Sequence, residues 1–271
     1  MTLEVVRAVA DAVLFEGGAL SSLLAPPPKS RLGRQFGVLA PRAWSEGGGG
    51  EPWWQETHVL VELPVPRYDA ATGTIERDAE DPLEHPTRIE GRLRFLRRGR
   101  LSLAHGVGTT WEEGELQEID FGFDLPPSLV FVSGGVEEQV IPFRVDGAEE
   151  TRDGITRRCC SITGLLRVNL AAVVADRPVV RASIRVENLT TWTAEGAARD
   201  EALDGSLLGT HVMLSMSGPG GFVSVVDPPE WAAAAATTCH NVGTYPVLVG
   251  PEGCQELILS APVLLYDHPM V

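Results

Sequence analysis

The residues best suited to chemistry gather in one late stretch, Cys239-His240-Asn241-Val242-Gly243-Thr244-Tyr245-Pro246-Val247-Leu248-Val249-Gly250, with Cys254 shortly after. Thiolate and imidazole are the soft and borderline donors that hold zinc or low-spin iron. Together with His211 upstream, Cys239, His240 and Cys254 form the candidate set for a bound transition metal (Fe, Ni or Zn). The spacing is not the C-x-x-C of a zinc ribbon, and adjacent Cys and His side chains seldom ligate one ion together. The plainer reading, in which each cysteine is a small buried hydrophobe, is preferred.

His211 also follows Arg199, Asp200, Glu201 and Asp204, and imidazole near carboxylates is raw material for acid–base work. Those carboxylates fall on the exposed side of a helical stretch, so a hydrogen-bonded core histidine is the preferred reading. A rival reading converges His211, Asp227 and His240 in a pocket that serves a small-molecule enzyme or binding module. No G-x-S-x-G elbow, Walker motif or Rossmann glycine pattern is present. Ser217-Gly218-Pro219-Gly220-Gly221 contains proline and runs into Phe222-Val223-Ser224-Val225-Val226, which predicts a hairpin turn. Trp53-Trp54 follows a glycine run, with Trp44, Trp111 and Trp192 also near turns. Such aromatics serve as protein-contact anchors or as lids on the ends of a fold, with a sugar platform the lesser alternative.

The elements that must position these residues are mostly strands. Thr57, Val59, Val61 and Leu63 alternate with His58, Leu60 and Glu62. Ile89, Gly91, Leu93 and Phe95 alternate with charged neighbours, and Val180, Ala182, Ile184 and Val186 alternate with Arg181, Ser183, Arg185 and Glu187. This is the signature of half-buried antiparallel strand. Leu116 to Leu125, Gln139 to Val145, Cys159 to Val174 and Glu256 to Leu265 behave similarly. Helical spacing suits only the first half of Ala197 to Met216 and a short stretch after Asp227-Pro228-Pro229, with Asp227 as its N-cap. Ala25-Pro26-Pro27-Pro28-Lys29 is a stiff connector and Ser45 to Pro52 a flexible one. Exposed excursions are expected at about 41–55 and 68–87. The expectation is a single mainly β domain over residues 1–271, an antiparallel two-layer β-sandwich with one or two inserted helices.

Composition narrows the function classes. The 271 residues carry 37 acidic and 22 basic side chains, a formal charge of −15, which argues against nucleic acid. The basic clusters, Arg92 to Arg100 and Arg157-Arg158, interleave with apolar residues and read as solvated strand faces. No stretch approaches the roughly 20 apolar residues of a membrane span. Met1 to Gly18 carries Glu4, Arg7, Asp11 and Glu16 with no basic segment before an apolar run, so it does not read as a signal peptide. A cytoplasmic protein with free thiols is expected, and adjacent Cys159 and Cys160 should point to opposite faces of a strand.

Several segments together resemble an uncharacterised actinobacterial-type protein family encoded with high-affinity [NiFe] hydrogenases and their maturation factors. The resemblance lies in Ala10-Asp11-Ala12-Val13-Leu14-Phe15-Glu16-Gly17, Arg34-Gln35-Phe36-Gly37-Val38-Leu39, Arg185-Val186-Glu187-Asn188-Leu189-Thr190 and Ser206-Leu207-Leu208-Gly209-Thr210-His211. It continues at Phe222 to Pro229, Cys239 to Gly250 and Leu259 to Pro269. Members of that family carry a tyrosine-rich segment where this chain reads Gly18 to Leu24, and an acidic tail beyond the Tyr-Asp-x-Pro block. The resemblance implies an accessory or assembly protein that binds a hydrogenase subunit or maturation factor rather than turning over a substrate. Trp53 and Trp54 are the expected contact residues, and a homo-oligomer is a further candidate assembly.

Overall fold

The computed structural model describes residues 2–16, 36–64, 68–69, 74–75, 87–103, 110–125, 136–173, 175–193 and 196–269. Helix α1 (Leu3–Ala10) continues as a wider turn over Asp11–Glu16. The strands are β1 (Trp54–Glu62), β2 (Tyr68–Asp69), β3 (Thr74–Ile75), β4 (Thr87–Leu103), β5 (Trp111–Leu125), β6 (Val136–Val145) and β7 (Ala148–Arg152). They continue with β8 (Ile155–Cys159), β9 (Ile162–Val173), β10 (Val179–Asn188), β11 (Leu208–Ser217), β12 (Gly221–Val223), β13 (Tyr245–Leu248) and β14 (Leu257–Ala261). Sheet I has the order β12-β1-β10-β9-β6. Sheet II has the order β13-β14-β11-β4-β8-β7, with β5 paired to the other side of β4. Strands β2 and β3 form a separate two-stranded pair. The remaining expected loop residues at 68–87, the proline connector at 25–29 and the segment 18–24 lie outside the described residues.

Alternation decides which side chains enter the core. From sheet I, Val59, Val61 and Leu63 of β1 and Val180, Ala182, Ile184 and Val186 of β10 point inward. They meet Ile89, Leu93 and Phe95 of β4 and Val212 and Leu214 of β11 in one shared cluster. The chain is thus a mainly antiparallel β-sandwich with short inserted helices, as the period-two pattern predicts. In each sheet an inward glycine faces a phenylalanine directly across the ladder, Gly91 opposite Phe121 and Gly164 opposite Phe143. A β-carbon at either glycine would overlap the facing ring. The ring fills the space that the missing side chain leaves.

The outer face of sheet II is covered. Val6, Val9 and Ala10 of α1 pack on Met213, Val247, Leu257 and Leu259. The C-terminal segment is fastened across both sheets through Asp267. Its Oδ1 accepts from the Leu248 N–H at 2.8 Å, and its Oδ2 accepts from the Ser224 hydroxyl at 2.5 Å.

Three local expectations are corrected, and one, the helical first half of Ala197 to Met216, is met. The Ser217–Gly221 turn is a crossover from β11 in sheet II to β12 in sheet I, not a hairpin. Gly220 (φ +112°) takes the left-handed side there and passes close to the Glu62 carbonyl, where a β-carbon has no room. The stretch after Ala197 is helical only over Arg199–Ala202 and Leu203–Gly205 before it becomes β11. Asp227 does not cap the next helix: Pro229 precedes the Glu230–Ala232 turn, while the Asp227 N–H donates to the Ser224 hydroxyl at 2.8 Å. Residues 41–53 are helical over Arg42–Trp44 and form a wider turn over Ser45–Gly49 that breaks at Gly48 (φ +97°), with Trp44 buried against Ala40 and Ala202. Among the described residues no helix is long and apolar enough to cross a membrane.

Candidate functional site

His211 owes its position to a bulge. The β11–β4 register shifts between Leu208 and His211, and Gly209 sits there at φ +61°. The bulge sets His211 beside Arg94 on the outer side of sheet II, where it is fully buried. Its Nδ1–H donates to the Gly209 carbonyl at 2.7 Å, and Nε2 lies 3.5 Å from Arg94 Nη1. Arg94, equally buried, reaches Asp11 Oδ1 at 2.8 Å and Glu118 Oε1 at 2.9 Å. Burial first, and then the Arg94 charge, push the His211 pKa down to about 4, against a partial upward pull from the Gly209 bond. This is a neutral core imidazole with both nitrogens engaged.

The other chosen donors lie elsewhere. Cys254 packs with Val247, Val249 and Leu257 on the outer side of sheet II. Cys239 packs against the cluster of Leu60, Ala232 and Ala235, where burial pushes its thiol up to about 11. His240 stands beside His58 at the edge of sheet I, and Asp227 is exposed on the turn after β12. The quartet Cys239, His240, Cys254 and His211 therefore does not converge, and neither does the trio His211, Asp227 and His240. Among the described residues, no three His, Cys, Asp or Glu side chains are placed to hold a metal ion. A donor set split between the outer side of sheet II (His211, Cys254) and the edge of sheet I (Cys239, His240) does not fit a metal centre. The four cysteines are free, Cys159 buried at the end of β8 and Cys160 exposed just past it, so the two do not share a strand.

The arginines of β4 are not the solvated face that their spacing suggests. Arg94, Arg97 and Arg98 are buried. Arg88, Arg92, Arg94, Arg97 and Arg100 each stand directly opposite an acid of β5, namely Asp124, Asp120, Glu118, Glu115 and Glu112. Arg98 reaches Glu112, bonds Asp200 Oδ1 at 2.8 Å and lies 3.6 Å from Asp204 Oδ1. Burial would raise the Asp200 carboxyl pKa, but Arg98 and Arg100 outweigh it and hold it below the usual carboxylate range. Slipping β5 by one residue would turn every acid to the other face, so the ladder fixes the register of this long hairpin.

The open outer face of sheet I carries the most distinctive constellation. Trp54, Glu56 and His58 of β1 lie beside Glu187, Arg185 and Ser183 of β10 in direct register. The Arg185 guanidinium stacks 3.7 Å over the Trp54 ring and lies 5.7 Å from that of Trp53, while Arg42 covers Trp53 at 4.5 Å. Glu187, almost fully buried, accepts from Arg185 Nε at 2.9 Å and Arg167 Nε at 3.2 Å. Each stacked cation adds about 0.5–2 kcal/mol, so the two tryptophans are held in fixed orientations.

Next to them, His58 Nε2 meets Glu56 Oε1 at 3.0 Å, and the His240 backbone N–H donates to His58 Nδ1 at 2.9 Å. A backbone amide only donates, so Nδ1 is bare and the proton sits on Nε2, directed at Glu56. The sequence reading missed Glu56, His58, Arg185 and Glu187. Glu56 and His58 are two apart on one strand, a visible same-face signal, but His240 lies far away along the chain and offers no local cue. Compared with family models, curated proteins and solved structures, the chain matches none.

Proposed function

We propose that the chain is a protein-binding accessory factor whose partner is a subunit or maturation factor of a [NiFe] hydrogenase, and that it acts in the cytoplasm. The hydrogenase assignment rests on the resemblance described above. The observation that carries the binding role is the Trp53–Arg185–Trp54 stack with Arg42 on the outer face of sheet I. Tryptophan and arginine dominate the energetic centres of protein interfaces, and side chains already held in place lose little freedom on docking. The net charge of −15 steers the chain toward a basic partner surface.

The test is affinity co-purification of the tagged protein from its native host while the hydrogenase is expressed, read by mass spectrometry. Hydrogenase subunits or maturation factors should accompany the parent chain and be depleted at least tenfold, an interface loss of about 1.4 kcal/mol or more, with the Trp53→Ala/Trp54→Ala variant. Recovery of the parent chain alone removes the hydrogenase reading. Equal recovery with both chains removes the tryptophan face from it.

A further inference from the structure

We propose that the Cys239–Gly243 segment is a proton-sensitive cover over the edge of β1, latched by neutral His58. The inference rests on the geometry of this segment and needs no particular partner. On one side β1 pairs with β10 along its whole length; on the other, β12 pairs only with Leu60 to Glu62. The remaining edge, at Glu56 and His58, is covered by the segment itself. Val242 and Glu56 exchange two backbone hydrogen bonds, 2.9 and 3.0 Å. The His58 N–H donates to Asn241 Oδ1 at 2.7 Å, and the His240 N–H donates to His58 Nδ1 at 2.9 Å.

The last of these bonds exists only while Nδ1 carries no proton. A proton on Nδ1 sets two N–H donors face to face, and the ring and the segment must part. With the segment lifted, Nδ1 is free to take that proton, so the open form binds it more tightly and acid favours opening. The charged and titratable groups around the imidazole are Glu56 on β1, which accepts from Nε2–H, Arg185 on β10, 3.6 Å from Glu56, and the His240 ring, 6.4 Å away.

A second observation lies beneath the cover. Gln55 is 1% exposed, and neither its amide oxygen nor its nitrogen has a hydrogen-bond partner. Gly243 lies against its stem, since a β-carbon there would meet the Gln55 β-carbon at 3.6 Å. A buried amide left unpaired costs stability, and it lies beside a segment that only a few bonds hold in place.

Amide hydrogen exchange and nitrogen-detected NMR of the intact chain, from about pH 8 to about pH 5 across the imidazole range, test the proposal. At the upper end His58 should be the Nε2–H tautomer. As pH falls, the protection factors of the His240, Val242 and Glu56 amides should drop, by up to about tenfold per pH unit for one linked proton. Protection at β9–β10 pairs such as Leu170 and Ala182 should hold. His58→Gln, whose side-chain oxygen accepts from the His240 N–H without titrating, should abolish the drop. An Nδ1–H tautomer at the upper end, protection at the three amides that follows the rest of sheet I, or an unchanged drop in His58→Gln would each overturn the proposal. If His58→Gln does not fold, the first two measurements on the parent chain still decide.

Discussion

The buried imidazole of His211 sets how the whole chain responds to acid. In the folded protein its pKa is pushed down to about 4, whereas an unfolded chain carries histidine near its ordinary value of about 6.5. Below that ordinary value the unfolded state takes up a proton that the folded state refuses. Stability is therefore complete above about pH 6.5, falls through the interval, and stops falling near pH 4. The difference of about 2.5 units corresponds to about 3 kcal/mol, of which about 2 kcal/mol is gone by pH 5. The perturbation is His211→Asn, whose side-chain N–H can replace Nδ1–H toward the Gly209 carbonyl without titrating. The assay is urea unfolding of parent and variant at half-unit steps across this range, followed by tryptophan fluorescence. The variant should be less stable near neutrality, because the Nε2 contact with Arg94 is gone. Its curve against pH should be flatter by about 2 kcal/mol between pH 6.5 and pH 5. Parallel curves would refute the reasoning, since they would mean that His211 takes up its proton equally in both states.

Other perturbations probe the ladder, the core and the thiols. Arg98→Met removes the buried cation from Glu112, Asp200 and Asp204 and should lower stability by about 2 kcal/mol at neutral pH by urea midpoint, less than for a fully buried pair because the acids can rehydrate. The parent's Asp200 is held below the usual range, so its contribution is present at neutrality and lost as pH falls through that depressed value; the variant's acid limb should be shallower. Gly91→Ala should cost about 1–3 kcal/mol by displacing the Phe121 ring, and the double variant with Phe121→Leu should recover part of that loss in a thermodynamic cycle. An alkylating reagent should label Cys160 ahead of buried Cys159, by peptide mapping, and more slowly than a free thiol because burial raises the Cys160 pKa.

The inner face of the sandwich is readable from the chain because a strand with one dry side must repeat its apolar residues every second position. Val59-x-Val61-x-Leu63 and Val180-x-Ala182-x-Ile184 do so without interruption. The same rule misleads at β4, where arginine in alternate positions looks like a wet surface. What dries it is the acidic strand β5 in matching register together with Asp200 and Asp204, a cross-strand fact that no window on β4 contains. His211 sits in a segment whose spacing suits a helix at its start, yet Gly209 bulges the strand and the ring is buried beside Arg94 of β4. The Cys239–His240 stretch invites a metal reading because donor type is local information. Its actual contacts, His58 and Glu56 in the first quarter of the chain, are not.

The order in which the elements meet has a consequence for synthesis. Helix α1 is made long before the strands on which it rests, β11 and β14. About 250 residues separate Ala10 from Ala261, and at translation rates of roughly 5–20 residues per second its apolar stripe waits about 10–50 seconds for its seat. Sheet I also waits, though for a shorter time, because β1 needs β10 and β12 on its two sides. A nascent chain of this protein thus keeps an uncovered amphipathic helix in front of the ribosome until β14 has been made. Its yield should depend on holding chaperones more than on the stability of the finished fold.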